Sequence, residues 1–440
     1  MRIVKKTICT LAALCLFGAT LPSGASLSAK AESMPPELYS FSEILTPVWE
    51  GDTSYMETVL PVENEYGGID PIQLLYPIEE ILEVKNATLT ETYQKGVDYA
   101  VAGGKLIIAE DGNIPTLSYT EFHPTQGQAG FESTEGGYMC FHEGDWFHQK
   151  QIVVTYKHTA KYDGYIPEGK ATLLPNVKEK LQQGGDFDLL VFGDSISVGA
   201  NSSGFVGVSP FMPSYAKLFE MQLESAYDCQ VNCVNSSVGG KDIDWGLSEI
   251  DSILAAQENV DLAVLAFGMN DGGKTPDEFA NKALQLVQKV QEAFPDAEIM
   301  LVATMLPNPL AKSFSLNQGL FYDALYEKCE REGVAVVNMT GVHASLLKKK
   351  RYADMTGNNV NHPNDYLARV YAQTLFATLT DRVIQSPCDG VVSDEDDGEK
   401  QMGASFFGLL TAGCNGVASV SACVAAVAIA ACILKTKKDD

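Results

Sequence analysis

Leu189-Leu190-Val191-Phe192-Gly193-Asp194-Ser195-Ile196-Ser197 runs an uncharged apolar segment into a tight Gly-Asp-Ser turn. A short apolar run bounded by turn residues reads as a buried strand. Gly193 permits a sharp turn, and Ser195 then stands at the carboxyl end of the strand, where an open α/β sheet forms its ligand crevice. That place makes Ser195 a candidate nucleophile. Gly-Asp-Ser is also an ordinary turn sequence, so its weight depends on its surroundings.

Downstream of Leu173, strand-like runs near 187–192, 230–235, 262–267, 298–304 and 334–338 alternate with helical stretches near 213–226, 242–256, 276–294 and 317–332. Such alternation predicts a parallel sheet with helices on both faces and right-handed crossovers. Thr275 before Pro276-Asp277-Glu278 has the form of a helix N-cap, and a last helix follows Pro363. Three of the turns between these elements carry chemistry. Ser236-Ser237-Val238-Gly239-Gly240 offers a backbone N–H at Gly240, Gly268-Met269-Asn270-Asp271 offers the Asn270 amide, and Asn359-Val360-Asn361-His362-Pro363-Asn364 supplies an imidazole. Each is common alone, but their order matches the needs of acyl transfer: a nucleophile, oxyanion donors and a base.

On these residues the stretch 171–385 resembles the SGNH (GDSL-type) hydrolase superfamily. Ser195 matches the nucleophile block, Gly240 and Asn270 the oxyanion-hole blocks, and His362 the base block. The resemblance implies an α/β, flavodoxin-like parallel five-stranded sheet flanked by helices. It also implies a serine esterase in which the N–H groups of Ser195 and Gly240, with the Asn270 amide, hold the oxyanion. No metal or organic cofactor is required. The family usually has Asp-x-x-His, whereas this chain has Asn359-x-x-His362. Asn359 is therefore the candidate for orienting the imidazole, with a backbone carbonyl, Asp354 or Asp365 as alternatives. Ser195 lacks a Gly-x-Ser-x-Gly elbow, which argues against the α/β-hydrolase fold.

The remainder of the 440 residues has ordinary globular composition, 45% hydrophobic and 20% charged. Arg2, Lys5 and Lys6, an apolar run from Ile8 to Leu21 and Ala29-Lys30-Ala31 predict a signal peptide over 1–31. Residues 35–165 are strand-rich and predict a β-sandwich-like, jelly-roll-like domain. Within it Val97–Ala102 and Lys105–Ala109 flank Gly103-Gly104 as a hairpin, and Gln151–Tyr156 is a further strand. His123, His142 and His148 lie in this region at spacings that match no metal-ligand motif. The acidic stretch 386–403 reads as a linker, the apolar run 416–434 as a transmembrane helix, and the Lys-rich 435–440 as a cytoplasmic tail.

Of 31 Lys and Arg and 57 Asp and Glu, the leader holds four basic residues, and the tail holds three basic and two acidic. The exported body is left with 24 basic against 55 acidic residues, a net of −31. A surface of that sign excludes nucleic acid as a partner and disfavours polyanionic substrates. Of ten cysteines, two lie in the leader and three (Cys414, Cys423 and Cys432) at or within the apolar tail segment; the remaining Cys140, Cys229, Cys233, Cys329 and Cys388 form neither an even disulfide framework nor a Cys-x-x-Cys pattern. The sequence thus predicts a membrane-anchored extracellular esterase acting on an acylated carbohydrate or another small ester. A sugar O-acyltransferase and a catalytically weak surface glycan-binding module are the rival readings.

Overall fold

The computed structural model describes residues 38–125 and 130–379. Its strands are β1 (Thr53–Val59), β2 (Glu80–Asn86), β3 (Tyr99–Ala102), β4 (Lys105–Ile108), β5 (Phe131–Glu132), β6 (Tyr138–Met139), β7 (Ile152–Lys157), β8 (Gly185–Gly193), β9 (Cys229–Asn235), β10 (Leu262–Ala266), β11 (Glu298–Ala303) and β12 (Ala335–Asn338). The predicted signal segment 1–31, linker 386–403, apolar segment 416–434 and tail 435–440 lie outside the described residues. Among the described residues no helix is long and apolar enough to cross a membrane.

Strands β8 to β12 form the predicted five-stranded sheet, in the order β12-β11-β10-β8-β9 with every pair parallel. The apolar runs of β8, β10, β11 and β12 are buried because both faces are covered, whereas the edge strand β9 alternates polar residues and is largely exposed. Leu189, Val191, Val264, Val302 and Val337 enter one core with helices Tyr215–Ala226 and Asp365–Thr378. Leu190, Phe192, Leu265, Leu301 and Val336 enter a second core with helices Ile243–Ala255, Pro276–Ala293 and Phe321–Lys328. Thr275 caps its helix in a full capping box with Glu278. Strand order reverses at β8, with β9 on one side and β10 on the other. In an open α/β sheet this reversal point, at the carboxyl ends of the strands, is where a ligand crevice is placed.

The preceding region is β-rich. β1, β7 and β2 make a three-stranded antiparallel sheet, and β3-β4 and β5-β6 are hairpins. Gly103 and Gly104 both take positive φ, +58° and +74°, as a two-residue turn that matches strand twist requires. This region shares a core with the α/β body: Val59, Val154 and Tyr156 belong to the same cluster as Val370 and Tyr371. Polar ties reinforce the join. The register of β1 shifts between Ser54 and Glu57, and Arg369 donates to the Tyr55 and Met56 carbonyls there. Gln373 donates to the carbonyls of Ile44 and Thr46. Lys350 and Glu57 form a fully buried ion pair at 2.6 Å.

Candidate active site

Ser195 begins a single-turn helix, Ser195–Val198, directly after β8. Asp194 caps it, its Oδ1 accepting from the Ile196 N–H at 3.0 Å. Gly193 is required by close approach: a Cβ there would lie 2.3 Å from the Ala266 carbonyl oxygen and 2.6 Å from Ser197 Oγ. Ser197 shares a buried hydrogen bond of 2.6 Å with the Tyr215 hydroxyl, so it braces the turn. Burial pushes the Asp194 carboxyl up to about 7.

His362 reaches Ser195 from the other end of the domain, with Nε2 at 2.9 Å from Oγ. Its loop is wound around Asn358, whose Oδ1 accepts from the backbone N–H groups of Val360, Asn361 and His362 at 3.0, 3.0 and 3.1 Å. Thr356 Oγ1 donates to the His362 carbonyl at 2.8 Å, and Asn364 caps the helix that follows. Because Asn358 Oδ1 is committed to the backbone, its Nδ2 faces the imidazole side, donating to Asn361 Oδ1 at 2.9 Å and to Glu143 Oε1 at 3.1 Å.

The expectation for Asn359 is corrected here. Its backbone is left-handed, with φ +66°, and its side chain turns away to donate to the Cys140 carbonyl at 3.0 Å. Asn308 Nδ2 donates to both its backbone and side-chain carbonyl oxygens, so the Asn359 side chain is held by Cys140 and Asn308 and not by His362. Asp354 instead pairs with Arg351 and accepts from the Leu60 N–H, and Asp365 accepts from the Ser203 N–H.

Three other residues meet His362 Nδ1. Asn201 Oδ1 lies at 2.5 Å, Asn358 Nδ2 at 3.1 Å and Glu143 Oε2 at 3.3 Å. Asn201 Nδ2 donates to the Gly144 carbonyl at 2.9 Å, which directs Oδ1 at the ring. The imidazole therefore donates its Nδ1–H to Asn201 and presents a bare Nε2 to the serine hydroxyl. Burial works to raise the Glu143 carboxyl, but His362 and the amides of Asn358 and Asn201 outweigh it and hold the group below its ordinary value. Glu143 and Asn201 lie far from the His362 block in sequence, so only the fold brings them to it.

Gly240 and Asn270 lie in the loops that follow β9 and β10, at the same edge of the parallel sheet as Ser195. The Ser236 and Val238 N–H groups donate to the carbonyls of Val191 and Gly193, drawing the loop after β9 across the serine turn. A Cβ on Gly239 would sit 3.7 Å from that of Ser195, and Gly240 follows with φ +71°. Asn270 donates one amide hydrogen to the Lys241 carbonyl at 2.9 Å, leaving the second for an incoming atom. Asp271 anchors this loop by accepting from the Ile243 N–H and from Lys274, both at 3.0 Å. The three β-region histidines do not gather. His123 bonds the Tyr119 carbonyl, His142 stacks on Trp146 and His148 bonds the Ser209 carbonyl.

Residues 191–370 match the family described as GDSL-like Lipase/Acylhydrolase. No curated protein matches the chain. Among solved structures, the chain is similar to a two-domain esterase active on acetylated mannans, crystallised with mannopentaose, at 19% identity and a TM-score of 0.40. That match covers 48% of this chain and 54% of the other, so the chain spans about half the length of that esterase. It is also similar to the acetylxylan esterase Axe2 from Geobacillus stearothermophilus, at 15% identity and a TM-score of 0.38, over 45% of this chain and 96% of that one. An α/β hydrolase enzyme from the metagenome of Lake Arreo, Spain, matches at 16% identity and a TM-score of 0.38, over 46% and 98%. Residues 191–370 of the chain thus carry a GDSL-like lipase/acylhydrolase domain.

Proposed function

We propose that this chain is a serine esterase that removes acetyl or other short acyl groups from a carbohydrate through a Ser195 acyl-enzyme. The observation that carries the reading is the 2.9 Å contact between Ser195 Oγ and His362 Nε2. Ser195 Oγ attacks the acyl carbonyl carbon while its proton passes to Nε2. The carbonyl electrons move onto oxygen, where the N–H groups of Ser195 and Gly240 and the free Asn270 hydrogen receive them. The intermediate collapses, the C–O bond to the sugar breaks, and His362 returns the proton to the departing sugar oxygen. Water then repeats the cycle on the acyl-serine. Asn201 holds the tautomer through both halves.

Two features favour a neutral, bulky alcohol as the leaving group. The net charge of −31 on the predicted exported body repels polyanions. The oxyanion side is open: Val238, Gly239 and Gly240 are exposed, and a Cβ on Gly240 would meet nothing within 4 Å. An ester borne on a polymer can approach such a rim. Purified chain should release acetate from an acetylated neutral polysaccharide and hydrolyse p-nitrophenyl acetate. Folded wild-type protein that cleaves neither would overturn the reading.

The proposal includes location. The apolar runs near each end and the lysines that flank them favour an exported body held by residues 416–434. Protease applied to intact cells should release the body, whereas a protected body with a cleaved tail would reverse the orientation.

A further inference from the structure

We propose that Glu143, contributed by the β-rich region that precedes the hydrolase domain, is the carboxylate partner of His362 and a positioning residue for the Ser195 reaction. This rests on the reading of Ser195 and His362 as nucleophile and base.

The need for such a group follows from the chemistry. When His362 takes the serine proton it becomes an imidazolium, and a neutral amide can fix its tautomer but supplies no counter-charge. The position where the family usually has aspartate holds Asn359, and that side chain is bound elsewhere. Glu143 Oε2 lies 3.3 Å from Nδ1, within the distance at which opposite charges stabilise each other. Its carboxyl is held below the ordinary carboxylate value, so it is ionised at neutral pH.

The loop carrying Glu143 is built onto the His362 block. Glu143 Oε1 accepts from Asn358 Nδ2, the Gly144 carbonyl accepts from Asn201 Nδ2, and the Cys140 carbonyl accepts from Asn359 Nδ2. At the loop's far end Phe147 is fully buried. Gln151 donates to the carbonyls of Ala353 and Thr356 and accepts from Asn364. Residues 140–151 therefore clasp residues 353–364 from both sides of the histidine. Glu143 also stands outside the 191–370 match, so the β-rich region completes the active site. With its side chain 53% exposed, Glu143 is hydrated, and its contribution is smaller than that of a buried triad aspartate.

The test is the rate at which a fluorophosphonate probe labels Ser195 in the full chain, a reaction that uses the same serine and histidine but no natural substrate. Oγ attacks phosphorus, fluoride leaves and the serine proton goes to His362. Glu143→Gln should slow labelling roughly tenfold to a hundredfold, and Glu143→Asp should recover part of the loss. Glu143→Ala should be equally slow, and added formate should accelerate that variant and not the wild type, a response that a purely structural role would not give. Wild-type labelling with unchanged rates in folded Glu143→Gln, or no formate response in Glu143→Ala, overturns the role of Glu143 alone. Absence of labelling in the wild type overturns the serine reading itself, and this inference with it.

Discussion

Asn201 Oδ1 lies 2.5 Å from His362 Nδ1, and the backbone of Asn201 is left-handed, with φ +65°, to put it there. A left-handed non-glycine residue is strained unless its surroundings compensate. Here its Nδ2 donates to the Gly144 carbonyl and its Oδ1 accepts from the imidazole Nδ1–H. Asn201→Ala should therefore lower kcat by roughly tenfold to a hundredfold, equivalent to losing about 1.4–2.8 kcal/mol of orienting hydrogen bond. Steady-state kinetics on p-nitrophenyl acetate checks this; an unchanged kcat would remove Asn201 from the tautomer argument. Asn359→Ala should instead act mainly on thermal stability, because its bonds go to Cys140 and Asn308.

Gly357 makes the Asn201 contact sterically possible. A Cβ at Gly357 would lie 2.4 Å from that of Asn201 and 3.1 Å from its carbonyl oxygen. Gly357→Ala must push Asn201 away from His362, and it should lower kcat at least as much as Asn201→Ala. The two substitutions should combine with less than additive effect, because they break one contact. Full additivity in a double-mutant cycle would contradict the shared route.

What the sequence made legible follows from the range over which each feature is encoded. The strand-like runs ending at Gly193, Asn235 and Ala266 are local signals, and the strands, the alternating helices and the turns bearing Ser195, Gly240 and Asn270 lie where those signals predict. His362 was legible from its His-Pro-Asn block. The partners of its Nδ1 were not. Asn201 looks like an ordinary loop residue, and Glu143 is one acid among many in an acidic chain; both gain meaning through tertiary placement. Asn359 misled because the usual Asp-x-x-His spacing presumes a backbone that keeps the acid beside the ring. Here Asn358 Oδ1 binds three successive N–H groups and Asn359 is rotated outward.

The join between the β-rich region and the α/β body should prove necessary for stability. Lys350 and Glu57 are both fully buried, and Glu57 also accepts from the Leu75 N–H and the Tyr156 hydroxyl. Removing one member leaves the other charge uncompensated. Lys350→Met should cost about 3–5 kcal/mol in denaturant unfolding. A loss below about 1 kcal/mol would place the pair in the range of surface ion pairs.

Asp194 gives a pH dependence of defined sign. Its carboxyl is raised to about 7 from 3.8 by burial, so the folded state binds this proton more tightly than the unfolded chain. Its contribution to stability is therefore greatest at low pH and declines as pH rises from about 4 through about 7. Asp194→Asn retains an oxygen to cap Ile196 and removes the charge, so its Tm relative to wild type should increase between pH 5 and pH 8. A Tm difference that is flat or falls over that interval would contradict the burial of an ionisable group there.

The central claim is that Ser195 and His362 act as one chemical unit. The direct measurement is kcat/KM on p-nitrophenyl acetate for Ser195→Ala, His362→Ala and the double variant, with folding confirmed for each. Each single replacement should lower the value by roughly 10⁴-fold or more, and the double variant should be scarcely worse than either single one. Retention of near-wild-type activity in Ser195→Ala, or two losses that multiply in the double variant, would contradict it.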